Sequence, residues 1–307
     1  MRPEPVGFRW YLRSPLQVSW LATEVIPAIR YLRRTERMAV VNVRRGWRHG
    51  NHLEIIAYSG DDRAVPWAHL LARLRQPAEQ ITLPPQPHGT FEWVGHDDLR
   101  PWPGSAQTLR ERALTTMVDS LAETVEAADS DSLGDAMPVE MVAEIMLAAS
   151  DAHPVRIPHG TSSYHAGVQT ILDWSGTSRA PQPEFERRLA GDRPALRALT
   201  ARMLTSKQTR SSASWRRTAL YCMGMFDGAV LSGSLTARTL YKISDVPDAA
   251  PPGTTRSPDQ PSTSFLSYRL VLNLLYVQLS LLGMSPADWC YLCWALTEVV
   301  GEVTGDS

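Results

Sequence analysis

The stretch MAVVNVRRGWRHGNHLEIIAY, Met38–Tyr58, decides how this chain is read. Met38 to Val43 is a short β-branched run and His52 to Tyr58 is a second, and both suit the pleated, half-buried surface of a strand. Between them, Arg44-Arg45-Gly46-Trp47-Arg48-His49-Gly50-Asn51 is polar and turn-forming. The pattern predicts a β-hairpin whose connection is crowded with cationic and aromatic groups. An exposed tip with solvated arginines would show the same pattern. Trp47, however, is an expensive residue to leave on a plain tip, and His49 and His52 stand beside it, which favours a ligand-facing role.

On either side of the hairpin the apolar period lengthens from two to about 3.6. Residues 16–34 read as a helix through Leu16, Trp20, Val25, Ala28 and Leu32, with Pro27 predicting a kink. Residues 66–77 read as another, giving helix–strand–strand–helix. Pro84 to Pro103 is a proline-rich loop region. Helices are expected over 105–129, 138–152, 164–174, 183–206 and 213–231, the last weakened by Gly224 and Gly228. Asp151 to Ser163 reads as loop, and Ser244 to Ser264, with five prolines, as a flexible connector or a lid. An apolar helix from Phe265 to Leu282, a break at Gly283–Pro286 and a last helix from Ala287 to Val303 complete the chain. The expected class is α+β, a small antiparallel sheet or hairpins with many packed helices. One catalytic domain is expected over 1–307, with an α+β part at 1–100 and a mainly helical part at 101–307.

Composition narrows the function. The 307 residues carry 31 Lys+Arg against 32 Asp+Glu, and this balance argues against a protein drawn to nucleic acid by global attraction. All but two of the basic residues are arginine, whose planar fork suits carboxylates and phosphates. Residues 1–60 hold ten arginines against four acids, whereas residues 113–152 hold nine acids and no Lys or Arg. These segments either attract each other, meet different partners, or are simply solvated faces. Three cysteines cannot build a disulfide framework and suit a reducing compartment. The N-terminus has no apolar stretch for a signal peptide, and the apolar window Leu270 to Leu282 is broken by Asn273 and Gln278 and too short to span a bilayer. A soluble, cytoplasmic protein is expected, with no membrane and no nucleic-acid partner.

The chain has no Gly-rich phosphate loop, no G-x-G-x-x-G after a strand and no H-E-x-x-H. Cys290 and Cys293 form C-x-x-C inside Trp-Cys-Tyr-Leu-Cys-Trp on an apolar helix; zinc needs about four ligands, so they read as core and no metal site is expected. His159, Ser162, Ser163 and His165 lie close together without the G-x-S-x-G pattern of a nucleophile elbow. On the helix over 265–282, Arg269, Asn273, Tyr276 and Ser280 share one face of an otherwise apolar element. Such a stripe must line a cavity or find structural partners, because unpaired buried polar groups are costly.

Arg44-Arg45-Gly46-Trp47-Arg48-His49-Gly50-Asn51-His52-Leu53-Glu54-Ile55 resembles a segment of the C-terminal glutamate-elimination domain of the LanB lantibiotic dehydratases. The opening Trp10-Tyr11 suits that domain's start, and Gly160-Thr-Ser-Ser-Tyr-His165-Ala is similar to its Ser-His-Ala segment. The tail from Tyr268-Arg269 through Asn273, Tyr276 and Gln278 to Ser285 resembles its last helices. Elimination members carry a histidine acid/base group on the penultimate helix. Here no histidine follows His165, and the Tyr-Arg…Asn-Leu-Leu-Tyr form looks more like the thiopeptide pyridine synthases.

That resemblance implies a cofactor-free formal aza-[4+2] cycloaddition between two dehydroalanines of a dehydrated precursor peptide, with loss of water and of the leader. The alternatives are a split glutamate-elimination lyase and a non-catalytic peptide-binding subunit. Under the resemblance, Tyr268 and Tyr276 are the expected proton donors, Ser267 and Asn273 position the amide, and Arg269 orients the carbonyl. Arg45, Trp47, His49 and His52 from the hairpin, together with His165, line the substrate cleft. Leaders of this class tend to be acidic, so Arg30, Arg33, Arg34 and Arg37 are the expected leader-binding groups. Other enzymes of the pathway are possible partners.

Overall fold

The computed structural model describes residues 6–12, 16–46, 51–59, 65–66, 91–94, 105–128, 136–164, 182–205, 207–236 and 263–305. They are mostly helical with a small antiparallel sheet, and the chain forms two compact units. One comprises Met1–Met137 with Asn273–Gly283, the other Pro138–Leu272 with Met284–Ser307.

The first unit holds the sheet. Its strands are β1 (Val6–Tyr11), β2 (Val40–Gly46), β3 (His52–Tyr58) and β4 (Phe91–Val94), in the order β2-β3-β1-β4 and antiparallel throughout. The hairpin read from Met38–Tyr58 is therefore present, with Gly46 opposite His52. β1 and β4 were not foreseen: β4 is four residues inside the proline-rich stretch, too short for alternation to register. Side chains alternate across the sheet, so Asn42, Arg44, His52, Glu54, Arg9 and Tyr11 share one face, while Val41, Val43, Leu53, Ile55 and Trp10 share the other.

Val18–Trp20, a π-type turn over Leu21–Val25, and Ile26–Arg34 form one continuous helix, α1. Pro27 lacks an N–H and would press on the carbonyl four residues back. The wider π turn lies just N-terminal to it, where that clash would fall, so the predicted kink takes the form of a bulge. The helix α2 (Ser105–Ala127) packs on β2, and its Glu111 accepts a hydrogen bond from Asn42, which gives the polar sheet face a polar cover. The helix expected over 66–77 lies almost entirely outside the described residues.

The second unit is helical. The helix α3 (Val139–Ser150) packs against α5 (Gln182–Leu204), α6 (Arg210–Leu231) and α8 (Pro286–Thr304). From Val142 onward it is buried on nearly all sides, Glu144 excepted, so it is a central helix rather than an amphipathic surface one. Between α3 and α5, residues 156–164 form a helix, α4, where a loop was expected. Pro158, Gly160 and the back-bonded Thr161 and Ser162 are poor helix residues, which hid it. At Gly160 an added Cβ would lie 2.5 Å from the Ser150 carbonyl oxygen, so only glycine allows α4 to cross the end of α3 this closely. Thr209 caps α6, and Ser285 with Asp288 forms a capping box that starts α8 at Pro286.

The helix α7 (Thr263–Leu279) continues as a 3-10 turn over Ser280–Leu282. Thr263–Leu282 is longer than the expected apolar window and meets the length and composition of a membrane span, yet 67% of its 18-residue apolar window is buried within the fold. It is a core helix. Residues 263–272 belong to the second unit and 273–282 to the first. Of the connector, residues 244–262 lie outside the described residues.

Candidate functional site

Glu54 is the keystone of the hairpin. Its Oε1 accepts from Arg9 Nε at 3.2 Å and its Oε2 from Arg44 Nε at 2.5 Å, and His52 Nε2 stands 3.4 Å from Oε1. Burial works to raise the Glu54 pKa, but the hydrogen bond with His52 and the charges of Arg44 and Arg9 outweigh it and hold the carboxyl at about 2. Arg110 on α2 feels the same cluster: burial and the Arg44 charge lower its pKa to about 10, partly offset by Glu111 and Glu54. An added Cβ on Gly46 would meet His52 Nε2 at 2.1 Å, so the glycine in Arg-Arg-Gly-Trp makes room for the imidazole. With 1% of its surface exposed, His52 is locked between Gly46, Tyr11 and Glu54.

Arg45 points to the opposite face from Arg44 and His52. Its Nε donates to Asn51 Oδ1 at 3.1 Å and its Nη1 to the Ser280 carbonyl at 3.5 Å, while Gln278 Nε2 donates to the Val43 carbonyl at 3.1 Å. These bonds seat residues 273–282 along the outer edge of β2, a place where an unpaired strand would otherwise expose its carbonyls. Asn273, Tyr276 and Ser280 follow i, i+3, i+7 and share one face of this segment. Both Asn273 and Tyr276 are half-buried. The structure thus gathers Arg45, Asn273 and Tyr276 within one unit.

Ser267, Tyr268 and Arg269 belong to the other unit. Ser267 Oγ donates to Asp227 Oδ1 at 2.6 Å, and Arg269 Nη1 donates to the Ser163 carbonyl at 2.8 Å. Tyr268 is completely buried, its hydroxyl donating to the Gly160 carbonyl at 3.1 Å and its ring set edge-on to His153. Burial drives its pKa well above that of a free phenol. Asp227 is a partner the sequence did not single out, and Gly160 was read only as part of a family-like segment; they lie 40 and 108 residues away along the chain, and no local pattern announces either as a partner.

The expected leader-binding arginines are on or just after α1. Arg30, Arg33 and Arg34 line a cavity of about 420 Å³ with Ile26, Ile29, Val118 and Asp119. Arg30 pairs with Glu126 and Arg33 with Asp119, so the basic and acidic segments do attract each other. Arg37 is exposed, with φ at 51°. Trp47, His49 and His165 lie outside the described residues. Among the described residues no group of three His, Cys, Asp or Glu side chains could hold a metal ion. Cys222 and Cys290 are buried thiols pushed up to about 12 and about 11.

No protein-family model and no curated protein sequence matches this chain. Solved structures do share its fold. The pyridine synthase TbtD from thiomuracin biosynthesis superposes with a TM-score of 0.71 over 99% of this chain and 100% of its own, at 18% identity. This chain has the fold of TbtD. TsrL follows with a TM-score of 0.69 over 98% of this chain and 95% of its own, at 15% identity. The tRNA-dependent lantibiotic dehydratase MibB from Microbispora sp. 107891 matches at 0.58 and 14% identity over 99% of this chain, which spans 28% of MibB. The resemblance read from the hairpin and the last helices holds at the level of the TbtD fold.

Proposed function

We propose that this protein is a cytoplasmic thiopeptide pyridine synthase. The observation that carries the reading is the fold match to TbtD over essentially the whole of both chains. The Tyr268-Arg269…Asn273…Tyr276 pattern supports it.

The substrate is a leader-bearing peptide with two dehydroalanines. One supplies the two-carbon partner. The amide before the other tautomerises to an iminol, giving a 2-azadiene. Ring closure forms two bonds, and loss of water and then of the leader as a carboxamide leaves an aromatic pyridine. Holding two distant parts of a flexible peptide in reactive geometry contributes up to about 7–11 kcal/mol. Tyr276 is assigned as proton donor, Asn273 as the group that holds the amide, and Arg45 as the group that orients its carbonyl. Tyr268, Ser267 and Arg269 act as positioning residues, each bonded to a neighbouring element.

The test is mass spectrometry of purified protein mixed with such a peptide. A cyclised core lacking water and leader, with the leader released as an amide, is the expected product. The MibB likeness favours a second reading, glutamate elimination. An unchanged peptide, with loss of glutamate from a glutamylated precursor, would establish that reading instead.

A further inference from the structure

The helix α6 keeps one apolar face open to solvent. Leu220, Tyr221 and Leu231 are 41%, 58% and 87% exposed, and they are three of the five large apolar side chains left exposed among the described residues. Together with Arg217, Gly224 and Gly228 they follow i, i+3, i+4, i+7, i+11 and i+14, so they form one stripe, and every member of it is exposed. A contiguous apolar stripe of this kind marks an interaction surface.

Glycine is the poorest helix former after proline. A Cβ added at Gly224 or Gly228 would meet nothing within 4 Å, so no crowding among the described residues calls for glycine at either place. What the two glycines leave is a notch one turn long beside the Leu220 and Tyr221 side chains. The stripe also differs in charge from end to end. Near its start stands Arg217, which enters no ion pair among the described residues. Its other end is the C-terminus of the helix, where the backbone carbonyls make a negative pole and the last turn holds no basic residue. One face therefore carries a projecting side chain and a notch, a cation and a negative pole. That self-complementarity is what a twofold interface between identical chains requires, whereas an unrelated partner needs only one half of each pair.

We propose that α6 packs antiparallel on α6 of a second copy of this chain, about a twofold axis at Gly224. Leu220 of each copy then fills the notch at the partner's Gly228, and each Arg217 meets the C-terminal end of the partner's helix beside Leu231. A parallel pairing would bring the two Arg217 guanidiniums together instead. From Arg217 to Leu231 the contact is about 21 Å long and about 10 Å wide on each copy. That is less than the roughly 1,200 Å² of a stable interface, so the dimer is a weak and reversible one. The inference does not rest on the reaction proposed above.

The test is sedimentation velocity of the full chain from about 5 to about 500 μM. The sedimentation coefficient of wild type is expected to climb from monomer towards dimer across this range. Leu220→Glu and Gly228→Leu are each expected to raise the dissociation constant about tenfold or more. Leucine is the better helix former, so Gly228→Leu loses association with an unchanged or raised melting temperature, which separates a filled notch from a misfolded chain. Arg217→Glu is expected to weaken the dimer about threefold to tenfold. The three native cysteines are buried, and Gly224→Cys, lying on the axis, is expected to give a disulfide-linked dimer under mild oxidation. A chain monomeric throughout, as it would be if another part of its own sequence covered the face, overturns the proposal. So does a dimer indifferent to Leu220→Glu or Gly228→Leu, a dimer strengthened by Arg217→Glu, or a Gly224→Cys variant that does not cross-link.

Discussion

Replacing Glu54 by Gln tests whether one carboxylate organises the hairpin. In the native protein the group sits at about 2 against an ordinary value of 4.5, and that difference corresponds to about 3 kcal/mol. Breaking a buried ion pair by removing one partner independently gives about 3–5 kcal/mol, because Arg9 and Arg44 are left as buried charges. The folded-state pKa is depressed, so the stabilisation is fully present above about pH 4.5 and is lost as pH falls through about 2. The Gln variant has no such titration. Its deficit against wild type should therefore be constant from pH 7 down to about 4.5 and shrink below that.

With an m-value of roughly 2 kcal/mol/M, the urea midpoint at pH 7 should fall by about 1.5 M. Hydrogen exchange of the β3 amides, followed by mass spectrometry, places the loss in the sheet. A variant midpoint equal to wild type at pH 7 would refute the keystone role. A deficit of undiminished size at pH 3 would refute its electrostatic origin.

Gly46→Ala drives a Cβ into the His52 ring and should cost about 1–3 kcal/mol in chemical denaturation, with most of it recovered in the Gly46→Ala/His52→Ala double variant. Tyr268→Phe removes one buried hydrogen bond to Gly160 and should lower stability by about 1 kcal/mol while leaving kcat within about tenfold; a loss of turnover above about a thousandfold at unchanged stability would make Tyr268 a direct proton donor. Tyr276→Phe should lower kcat about a hundredfold or more while costing no more than about 1 kcal/mol of stability, and unchanged turnover would remove it from the chemistry.

The legible parts of this fold are those whose signal is local. Val40, Val41 and Val43 against Leu53, Ile55 and Ile56 announce the hairpin, and the break before Pro286 marks the start of the last helix. Alternation separates Arg44 from Arg45 within β2, but placing Arg44 on the same face as Glu54 needed the register. β4 and α4 were illegible for opposite reasons. β4 is too short to show a period, and α4 opens on Arg156 at φ 65° and runs through Pro158 and Gly160, residues that argue against a helix while tertiary contacts impose one. The polar stripe on α7 was visible as a stripe, but the Ser163 carbonyl that Arg269 bonds, like the Asp227 and Gly160 partners of the neighbouring Ser267 and Tyr268, is supplied only by the fold.

The protonation states of the described residues bear on which chemistry the proposed site performs. Glu54, held at about 2 between two guanidiniums, is a fixed anion at neutral pH and cannot serve as a general acid. Burial keeps Tyr268 and the Cys222 and Cys290 thiols protonated, so none of them is a ready nucleophile. His153 has its pKa lowered by burial and by His159, and its Nδ1 accepts from the Val155 amide, which leaves a neutral ring rather than a cationic acid. The helix α7 carries no histidine. Abstracting a proton next to a carbonyl to expel glutamate calls for a positioned base, whereas closing a pyridine calls for hydrogen-bond donors and a rigid frame. Tyr276, Asn273 and Arg45, set along the edge of β2 by the Gln278 and Ser280 contacts, supply donors and a frame. Among the described residues, these groups suit the proposed cycloaddition.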